Sequence, residues 1–518
     1  MIFSVPFLPD EYFWGGSTNY GTEMPLSAKS NYCRDFRKGP PNQMTTVFIS
    51  NMGRCVHSSA PFKVFVENAS LCFEGEDFEL TREGETLKDA YLGAMKKYFP
   101  FEGRKLPHEF FRTAQYNTWM EYTYDPTQEG VLEYAHALLD HGFEPGIFII
   151  DEGWHTRYGL WEFDLAKFPD PKAMVDELHS LGFVVMLWVT PLVTPDGLGF
   201  IKATRLGIPA DTPDSERLFL RNKEGQPALV SWWNGFSAIL DFRKKCDRDF
   251  MGSRLDKLVK DFGVDGFKFD GGSYGMYNPQ GVVNGTPRDD MDPAALNRAW
   301  NDFGARYRFH EYKDTFNGGG RSMIGRLCDR RHRWDGDGLN TLVPSVLLQG
   351  LMGYPFICPD MVGGGEWSFN ARPDFKTDEE LFVRMAQASA LCPMMQLSWA
   401  PWNALSKENA ALVSDAVHLH KQMSDIIIDL ADAATESGEP IVRCLEYVDP
   451  HQGFAKITDQ FLLGDDILVC PTVTKGATER TVTFPSGRWQ APDGSIFDGR
   501  STATLPSPLD KLLWFKRT

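Results

Sequence analysis

Two charged side chains, Lys268 and Asp270, stand two residues apart within residues 264–272. Phe267 and Phe269 alternate with them, which is the pattern of a short half-buried strand, and glycines lie on both sides. Side chains two apart on a strand point to the same face, so the amine and the carboxylate would face one site. A carboxylate in that position can act as a nucleophile or a base. A structural pair of lysine and aspartate in a loop fits the same residues.

Further candidates share a position at or beyond the end of an apolar run, or in the connection between two such runs. They are Asp151, Glu152, Trp154, Trp188, Trp233, Arg321, Trp334, Asp337, Ser398 and Trp399. Carboxylates and indoles predominate in this set. Carboxylates supply acid–base and nucleophilic chemistry, and indole rings offer flat apolar faces to a ligand.

The elements that would position these residues alternate between strands and helices. Apolar runs at 146–151 and 183–189 are typical of strands buried on both faces, and residues 113–122 are a further strand candidate. Amphipathic helices are predicted at 129–140, 171–181 and 250–262. Repeated βα units over nearly 300 residues predict a (β/α)8 TIM barrel, in which residues beyond the strand ends converge on one site.

The flanking segments indicate β structure. Residues 45–50 and 62–67 are strand-like, and residues 12–21 read as a Gly-rich aromatic loop that is either a packed turn or reaches towards a neighbouring cleft. Strand-like runs return at 460–469 and 480–485. We therefore expect an α/β chain of three domains: an N-terminal β-sandwich over residues 1–108, the barrel over 109–428 and a small C-terminal β-sandwich over 429–518.

Composition narrows the possible partners. The 518 residues carry a net charge of −17, which argues against nucleic acid and anionic membranes, and no apolar run of 18 residues is present. The N-terminus does not resemble a signal peptide. The nine cysteines are scattered without a CxxC pair, which favours buried thiols in a reducing compartment. We expect a cytoplasmic protein without a metal or cofactor, and the oligomeric state is left open.

The motifs exclude several catalytic classes. The sequence has no HExxH, no P-loop and no GxSxG, and residues 318–320 lack the Lys-Ser/Thr that follows a phosphate loop. Two carboxylates among aromatic side chains instead suit cleavage of a glycoside. One carboxylate serves as nucleophile or base and the other as proton donor.

Five landmarks in order carry a resemblance that covers nearly the whole chain: the strand ending at Asp151, Lys268-Phe269-Asp270, Arg321-Ser322, residues 334–337 and residues 464–469. The sequence resembles glycoside hydrolase family 31, whose members are retaining α-glycosidases that use no metal or cofactor. The resemblance implies an oligosaccharide or glycoside substrate.

The resemblance also implies residue roles. Asp270 would be the nucleophile and Asp337 the acid and base, which burial should keep protonated. Arg321 and Trp334 would hold the sugar, Asp151 would read its far hydroxyls, and Lys268 would lie near O2. Lys268 and Arg321 should help to keep Asp270 ionised.

Several residue assignments stay open at this point. On composition alone Asp335 competes with Asp337 as the acid. Asp265 reads as a structural hydrogen bonder, and Asp360 as either a sugar contact or a structural residue. Trp232 reads as packing, with Trp233 as the better platform for a sugar.

The terminal sugar is a further open question. Many family members carry Arg-Asn-His where this chain has Gln396-Leu397-Ser398, and the run through Trp399 and Trp402 resembles the α-galactosidase branch. We predict an α-galactosidase, with an α-glucosidase as the alternative within the family. A lyase that cleaves through the same covalent ester and a catalytically silent sugar-binding protein also fit the sequence.

Overall fold

The structure is a computed structural model that describes residues 1–39, 42–204 and 212–518. These residues form two compact units. The first unit comprises Met1–Arg37, Gln43–Ala114 and Asn317–Thr518, and the second comprises Lys38–Asn42 and Gln115–Phe316. Six of the nine cysteines are buried. In the part of the chain that is described, no helix is both long enough and apolar enough to cross a membrane.

The second unit is built on five parallel strands that neighbour one another in chain order. They are Gln115–Asn117, Ile147–Ile150, Val184–Val189, Gly266–Phe269 and Phe309–Tyr312. Ile150 lies opposite Leu187, and Trp188 lies opposite Lys268. Asp151, Trp188 and Lys268 are therefore at one level on three neighbouring strands, as expected when strand ends converge.

Six helices accompany these strands in the described part of the second unit, and side chains cap some of their N-termini. They are Trp119–Tyr122, Gln128–Asp140, Pro171–Ser180, Leu198–Thr204, Lys245–Lys257 and Pro293–Gly304. The Thr127 and Asp170 side chains accept backbone N–H groups at two of the starts. Helix Lys245–Lys257 continues as a π-helical turn, Leu258–Phe262, and ends at Gly263 with φ 85°. The helix end predicted at this glycine is confirmed.

A long connection between the third and fourth parallel strands carries an antiparallel sheet. Its strands are Leu192–Val193, Gly235–Ile239 and Leu229–Trp232. Trp232 pairs with Gly235 at the tip, which leaves Trp233 and Asn234 as the two turn residues. We call this element the Trp233 hairpin. Its sequence position alone did not indicate a hairpin.

The N-terminal part of the first unit is a two-layer β structure. One sheet contains Ile2–Pro6, Ser70–Glu74, Lys63–Glu67 and Cys33–Asp35, and the other contains Phe13–Ser17, Gln43–Ser50, Arg54–His57 and Glu79–Arg82. Phe36, Phe48, Phe62 and Phe73 pack between the sheets with ring centroids 5.3–6.4 Å apart. Helix Leu87–Tyr98 follows.

Two local predictions are wrong. Residues 12–21 are not a loop, because Phe13–Ser17 forms a fully buried strand beside Gln43–Ser50 and a 3-10 helix, Thr18–Glu23, follows. Residues 113–122 are not one strand, because the chain turns into a helix at Trp119. In both segments apolar residues are buried by tertiary packing that their local pattern does not reveal.

The later part of the first unit continues the strand and helix alternation. Short parallel pairs join Ile324–Arg326 with Ile357–Cys358, and Met361–Val362 with Gln396–Leu397. The short helix Glu109–Arg112 belongs to the earlier segment of this unit, and the helices of the later part are Leu342–Leu351, Trp367–Asn370, Glu379–Ala390, Pro401–Ala404, Lys407–Gln422, Ser424–Ser437 and Leu445–Val448.

The C-terminal part forms a second small sandwich. A six-stranded sheet contains Val442–Arg443, Phe461–Leu463, Ile467–Cys470, Leu513–Arg517, Arg488–Gln490 and Ile496–Asp498, and Glu479–Phe484 pairs with Ser501–Pro506 as the other layer. Leu462, Leu468, Phe484, Trp489 and Phe515 belong to its buried core. The strand predicted at 480–485 is present as Glu479–Phe484, whereas the run predicted as one strand at 460–469 forms two antiparallel strands, Phe461–Leu463 and Ile467–Cys470.

Candidate active site

Asp270 lies directly after the strand Gly266–Phe269, and its side chain is held by two N–H donors. The Trp188 indole donates to Oδ2 at 3.1 Å, and the Gly271 backbone donates to Oδ1 at 2.8 Å. The Asp270 backbone N–H donates in turn to the Val189 carbonyl at 2.9 Å. The residue is 7% exposed. Two N–H donors stabilise the negative charge of a buried carboxylate and fix its orientation.

Gly266 lets this strand sit close to its neighbour. A Cβ atom at this position would meet the Phe309 carbonyl oxygen at 2.1 Å, so no larger residue fits. Phe267 and Phe269 are buried on the helix-covered side, as the alternating pattern predicts. The local sequence therefore places Lys268 and Asp270 on the opposite side of the strand.

Lys268 pairs with Asp151 rather than with Asp270. Its Nζ lies 2.5 Å from Asp151 Oδ2, and each side chain is 3% exposed. Asp151 is also fixed by its backbone N–H, which donates to Thr118 Oγ1 at 2.8 Å. The ion-pair partner of Lys268 is thus Asp151 on a nearby strand, and the expected electrostatic support of Asp270 by Lys268 stays a prediction.

Glu152 forms a second buried carboxylate centre beside Asp151. Tyr158 OH and Asn234 Nδ2 each lie 2.6 Å from Oε1, and the Trp233 indole donates to Oε2 at 3.2 Å. Burial raises the pKa of Glu152 to about 8, the hydrogen bonds from Tyr158 and Trp233 oppose this, and the charge of Asp151 adds to it. Glu152 thus joins the Trp233 hairpin to the end of the strand Ile147–Ile150.

Tyr158 and Asn234 were missed by the sequence reasoning. Asn234 Nδ2 donates to Tyr158 OH at 2.8 Å as well as to Glu152, so the three polar groups form one network. Trp233 is 47% exposed, so part of its ring surface is open, as its choice as the platform candidate requires. Trp232 is 8% exposed and donates to Ser237 Oγ at 3.0 Å, consistent with packing.

Trp154 lies in the core beneath the candidate site. It is 0% exposed, and its indole donates to the Trp188 carbonyl at 2.8 Å. Its position supports Trp188, which in turn holds Asp270. His155 packs against Trp154 and Tyr158 with centroids 5.2 and 4.8 Å away, and burial lowers the pKa of His155 to about 4, so the imidazole is neutral at pH 7.

In the first unit, Asp337 and Asp335 both lie in an exposed turn. Asp337 Oδ2 is 3.3 Å from Arg331 Nε, and its side chain is 52% exposed. Asp335 pairs with Arg333 at 2.6 Å and is 77% exposed. The expected burial of Asp337 is therefore wrong.

The other predicted contacts of the first unit have protein partners of their own. Arg321 Nε lies 3.3 Å from Glu102 Oε1, and the Trp334 indole donates to Asp378 Oδ2 at 3.0 Å. Ser398 is buried. Trp399 stacks on Phe382 with centroids 6.1 Å apart.

Two aspartates that sequence reasoning treated as structural or ambiguous have clear structural partners. Asp265 Oδ2 accepts the Val185 backbone N–H at 2.8 Å, so its structural role is confirmed. Asp360 Oδ1 lies 2.9 Å from Arg326 Nη1, and Oδ2 accepts the Arg330 backbone N–H at 2.9 Å. Burial raises the pKa of Asp360, and Arg326 and Arg330 oppose that rise. Asp360 therefore belongs to a buried ion cluster.

No group of three or more His, Cys, Asp or Glu side chains is arranged to hold a metal ion among residues 1–39, 42–204 and 212–518. The candidate acidic side chains fall into two sets, one in each unit. The second unit supplies the ordered carboxylates Asp151, Glu152 and Asp270. The first unit supplies Asp335 and Asp337 on one turn.

Comparisons with known proteins identify the family. A family model described as the glycosyl hydrolases family 31 TIM-barrel domain matches residues 106–428, and one described as the C-terminal domain of the same family matches residues 438–518. The chain therefore belongs to glycoside hydrolase family 31. The TIM barrel with flanking β domains expected from the sequence is confirmed. The exact domain limits at residues 108 and 428 stay predictions.

Two curated relatives illustrate how much of the sequence is shared with known proteins. The chain is 32% identical to the myogenesis-regulating glycosidase of Mus musculus over 82% of the chain and 59% of that protein. It is 26% identical to alpha-glucosidase 2 of Bacillus thermoamyloliquefaciens over 76% of the chain and 50% of that protein. The chain thus spans between half and three-fifths of the length of these two relatives.

Solved structures support the fold. The family 31 dextranase of Flavobacterium johnsoniae complexed with glucose matches 100% of this chain and 66% of its own, with a TM-score of 0.84 and 18% identity. A family 31 alpha-xylosidase from a soil metagenome complexed with xylose matches 100% of this chain and 79% of its own, with a TM-score of 0.81 and 19% identity. At such identities the likeness concerns the fold.

Proposed function

We propose that this chain is a retaining exo-α-glycosidase that releases a terminal α-linked sugar through a covalent ester on Asp270. The observation that carries the proposal is the burial and fixed orientation of the Asp270 side chain. Its carboxylate is buried and oriented by the Trp188 indole and the Gly271 backbone at the end of a parallel strand. A carboxylate that is fixed at the end of a barrel strand suits the role of a glycosidase nucleophile.

The reaction would proceed in two balanced steps. Asp270 attacks the anomeric carbon, the glycosidic C–O bond breaks, and the leaving oxygen takes a proton from the carboxyl of Asp337. In the second step a water molecule gives a proton to Asp337, attacks the anomeric carbon and breaks the ester. The freed sugar has the same anomeric configuration as the substrate, and both aspartates return to their starting states.

The acid role of Asp337 rests on its match to the family motif. Its exposure and its neighbour Arg331, 3.3 Å away, describe the side chain without a sugar. Asp335 has an equal claim on composition. The two residues are therefore separated by kinetics rather than by position.

The recognition groups for the sugar would be the buried polar side chains of the second unit. Asp151 is fixed by Lys268, and Glu152 is fixed by Tyr158 and Asn234. Buried polar groups that lose their partners penalise the wrong sugar epimer strongly. This arrangement supports selective reading of hydroxyl groups on a terminal sugar.

The relatives favour a glucosidase or another α-glycosidase over a galactosidase. Those named for a sugar linkage include an alpha-glucosidase, a 1,3-alpha-isomaltosidase and alpha-xylosidases. The α-galactosidase preference predicted from the run ending at Trp402 has no support among them. We therefore propose that α-glucosides are cleaved at least as well as α-galactosides.

The nucleophile is tested with Asp270→Ala. We expect kcat/KM on an aryl α-glycoside to fall at least about 1,000-fold, and azide to restore part of it with a β-configured glycosyl azide as product. Asp261→Ala is the matched control, because it removes an exposed carboxylate nine residues earlier. Retention of more than about a tenth of the activity by Asp270→Ala would show that this assignment is wrong.

The sugar is tested with p-nitrophenyl α-glucoside and α-galactoside measured side by side. A glucoside to galactoside ratio of kcat/KM of at least one supports the proposal, and a lower ratio restores the galactosidase prediction. Proton NMR of the first product separates retention from inversion. Binding of sugar without turnover in any assay would indicate a catalytically silent sugar-binding protein, and an unsaturated anhydro sugar would indicate a lyase.

A further inference from the structure

A groove of about 190 Å³ lies in the second unit and is lined by none of the candidate site residues. Its floor is apolar: Trp161, Phe163 and Leu258 are between 2% and 5% exposed. Arg254 and Lys257 line it as well, on the last turn of helix Lys245–Lys257. The groove is smaller than the roughly 300 Å³ at which pockets for drug-sized ligands begin, so an occupant must be small.

The floor of this groove is held rigidly by ring contacts. Phe163 meets Phe262 edge-on with centroids 5.3 Å apart, and Trp161 meets Phe250 edge-on at 6.0 Å. Trp161 has φ +47°, a left-handed conformation that is costly for a bulky side chain. Leu258 and Phe262 belong to the π-helical turn, and such turns recur at functional sites. Two uncommon backbone conformations thus converge on one groove.

Two cations and one carboxylate line the groove: Arg254 is half-buried, Lys257 is exposed, and Glu162 supplies the carboxylate. Neither Arg254 nor Lys257 forms an ion pair among the described residues of the chain, although 70 acidic residues give the chain a charge of −17. The Arg254 guanidinium lies over the Phe250 ring at 4.0 Å, half-buried. Burial lowers the pKa of Arg254, and the nearby carboxylate of Glu162 offsets that effect in part. With Glu162 counted, two cations and one carboxylate leave one net positive charge in the lining, which a single anion would balance.

We propose that this groove binds a small aromatic anion, with one or two fused rings on the apolar floor and a carboxylate or sulfonate against Arg254 and Lys257. A neutral sugar would bring no negative charge to Arg254 and Lys257, and it would bury its hydroxyl groups against the apolar rings of Trp161 and Phe163. A neutral apolar molecule would pack against the apolar floor but would form no ion pair with Arg254 or Lys257. The combination of an aromatic floor with two cations matches one ligand that carries both a ring and a negative charge.

The test uses a fluorescent aromatic sulfonate of the proposed size, naphthalene-1-sulfonate, and its uncharged analogue naphthalene. Lys257→Glu should weaken the sulfonate by about tenfold or more, because it reverses a charge that the anion contacts. Lys245→Glu is the control, since it makes the same change about 18 Å away along the same helix, beyond the screening length of physiological salt. The control should change the affinity less than twofold.

A second pair of variants tests the groove without touching its cations. Leu165 lines the groove and is 63% exposed, so Leu165→Asp adds a negative charge there with little effect on the core. Val283→Asp makes the same kind of change at a residue that is 52% exposed and does not line the groove. Leu165→Asp should weaken the sulfonate about tenfold and Val283→Asp should not. A melting curve for each variant checks that it folds.

Three results would overturn the proposal. The first is an absence of saturable sulfonate binding to the wild-type chain. The second is an equal loss of affinity in Lys257→Glu and Lys245→Glu, which would place the probe elsewhere. The third is equal sensitivity of the uncharged analogue to Lys257→Glu, which would show that the negative charge plays no part.

Discussion

Lys268 and Asp151 form an ion pair whose two side chains are each only 3% exposed, with Nζ and Oδ2 2.5 Å apart. Replacing one partner of such a pair leaves the other charge buried without compensation. The measured cost of that change in other proteins is about 3–5 kcal/mol. We therefore expect Lys268→Met and Asp151→Asn each to lower the free energy of unfolding by about this amount.

The corresponding change in melting temperature depends on how much of the chain unfolds together. At about 2.1 cal/mol/K per residue, unfolding of the whole 518-residue chain has an entropy of about 1.1 kcal/mol/K, so the expected shift is about 3–5 °C. If the second unit unfolds alone, the entropy is about 0.4 kcal/mol/K and the shift is about 7–12 °C. Either shift is readily measured by circular dichroism.

The double variant decides between a coupled pair and two independent residues. Lys268→Met with Asp151→Asn removes both charges, so its loss of stability should be smaller than the sum of the two single losses by at least about 2 kcal/mol. Lys172→Met, which breaks an exposed pair with Asp176, is the control and should shift the melting temperature by no more than about 1 °C. Additive losses in the double variant, or an unchanged melting temperature in Lys268→Met, would refute the reasoning.

Two further predictions concern the carboxylates. Asp337→Asn should slow substrates with poor leaving groups far more than activated aryl glycosides, because good leaving groups need little protonation; the same contrast in Asp335→Asn instead would reverse the assignment. Burial raises the pKa of Glu152 to about 8 from an ordinary 4.5, so between these values the folded state keeps a proton that the unfolded state releases. Wild-type stability should therefore fall with rising pH in that window by about 1.4 kcal/mol per pH unit. Melting temperatures from pH 5 to 9 should show a flatter slope for Glu152→Gln, and parallel slopes would contradict the pKa shift.

Local periodicity was enough to predict the main elements of the barrel. The runs that became Ile147–Ile150 and Val184–Val189 are apolar throughout, and the helix ahead of Gly263 ends where a glycine can take a positive φ. These features depend on neighbours within a few residues, which the sequence displays directly. Phe13–Ser17 was misread because its burial comes from a partner strand about 30 residues away.

The order of motifs along the chain was also sufficient to predict the family. The alternation around Phe269 places Lys268 and Asp270 on one face of a strand, because a strand fixes the direction of its own side chains, whereas the nucleophile role of Asp270 follows from the family resemblance and stays a prediction. The order of motifs does not predict which terminal sugar the site prefers. Ser398 and Trp399 were read as a specificity signal, yet Ser398 is buried and Trp399 packs against Phe382.

The partners of the candidate site residues were decided by the tertiary structure. Lys268 is two residues from Asp270 but uses its charge on Asp151, 117 residues earlier, because neighbouring parallel strands bring those two side chains to one level. Asn234 lies 82 residues from Glu152, and only the Trp233 hairpin brings its amide within 2.6 Å. Residue types and local spacing therefore determined which groups can react. The pairing of strands and the fold of a long connection determined which charges meet, because those distances do not depend on separation along the chain.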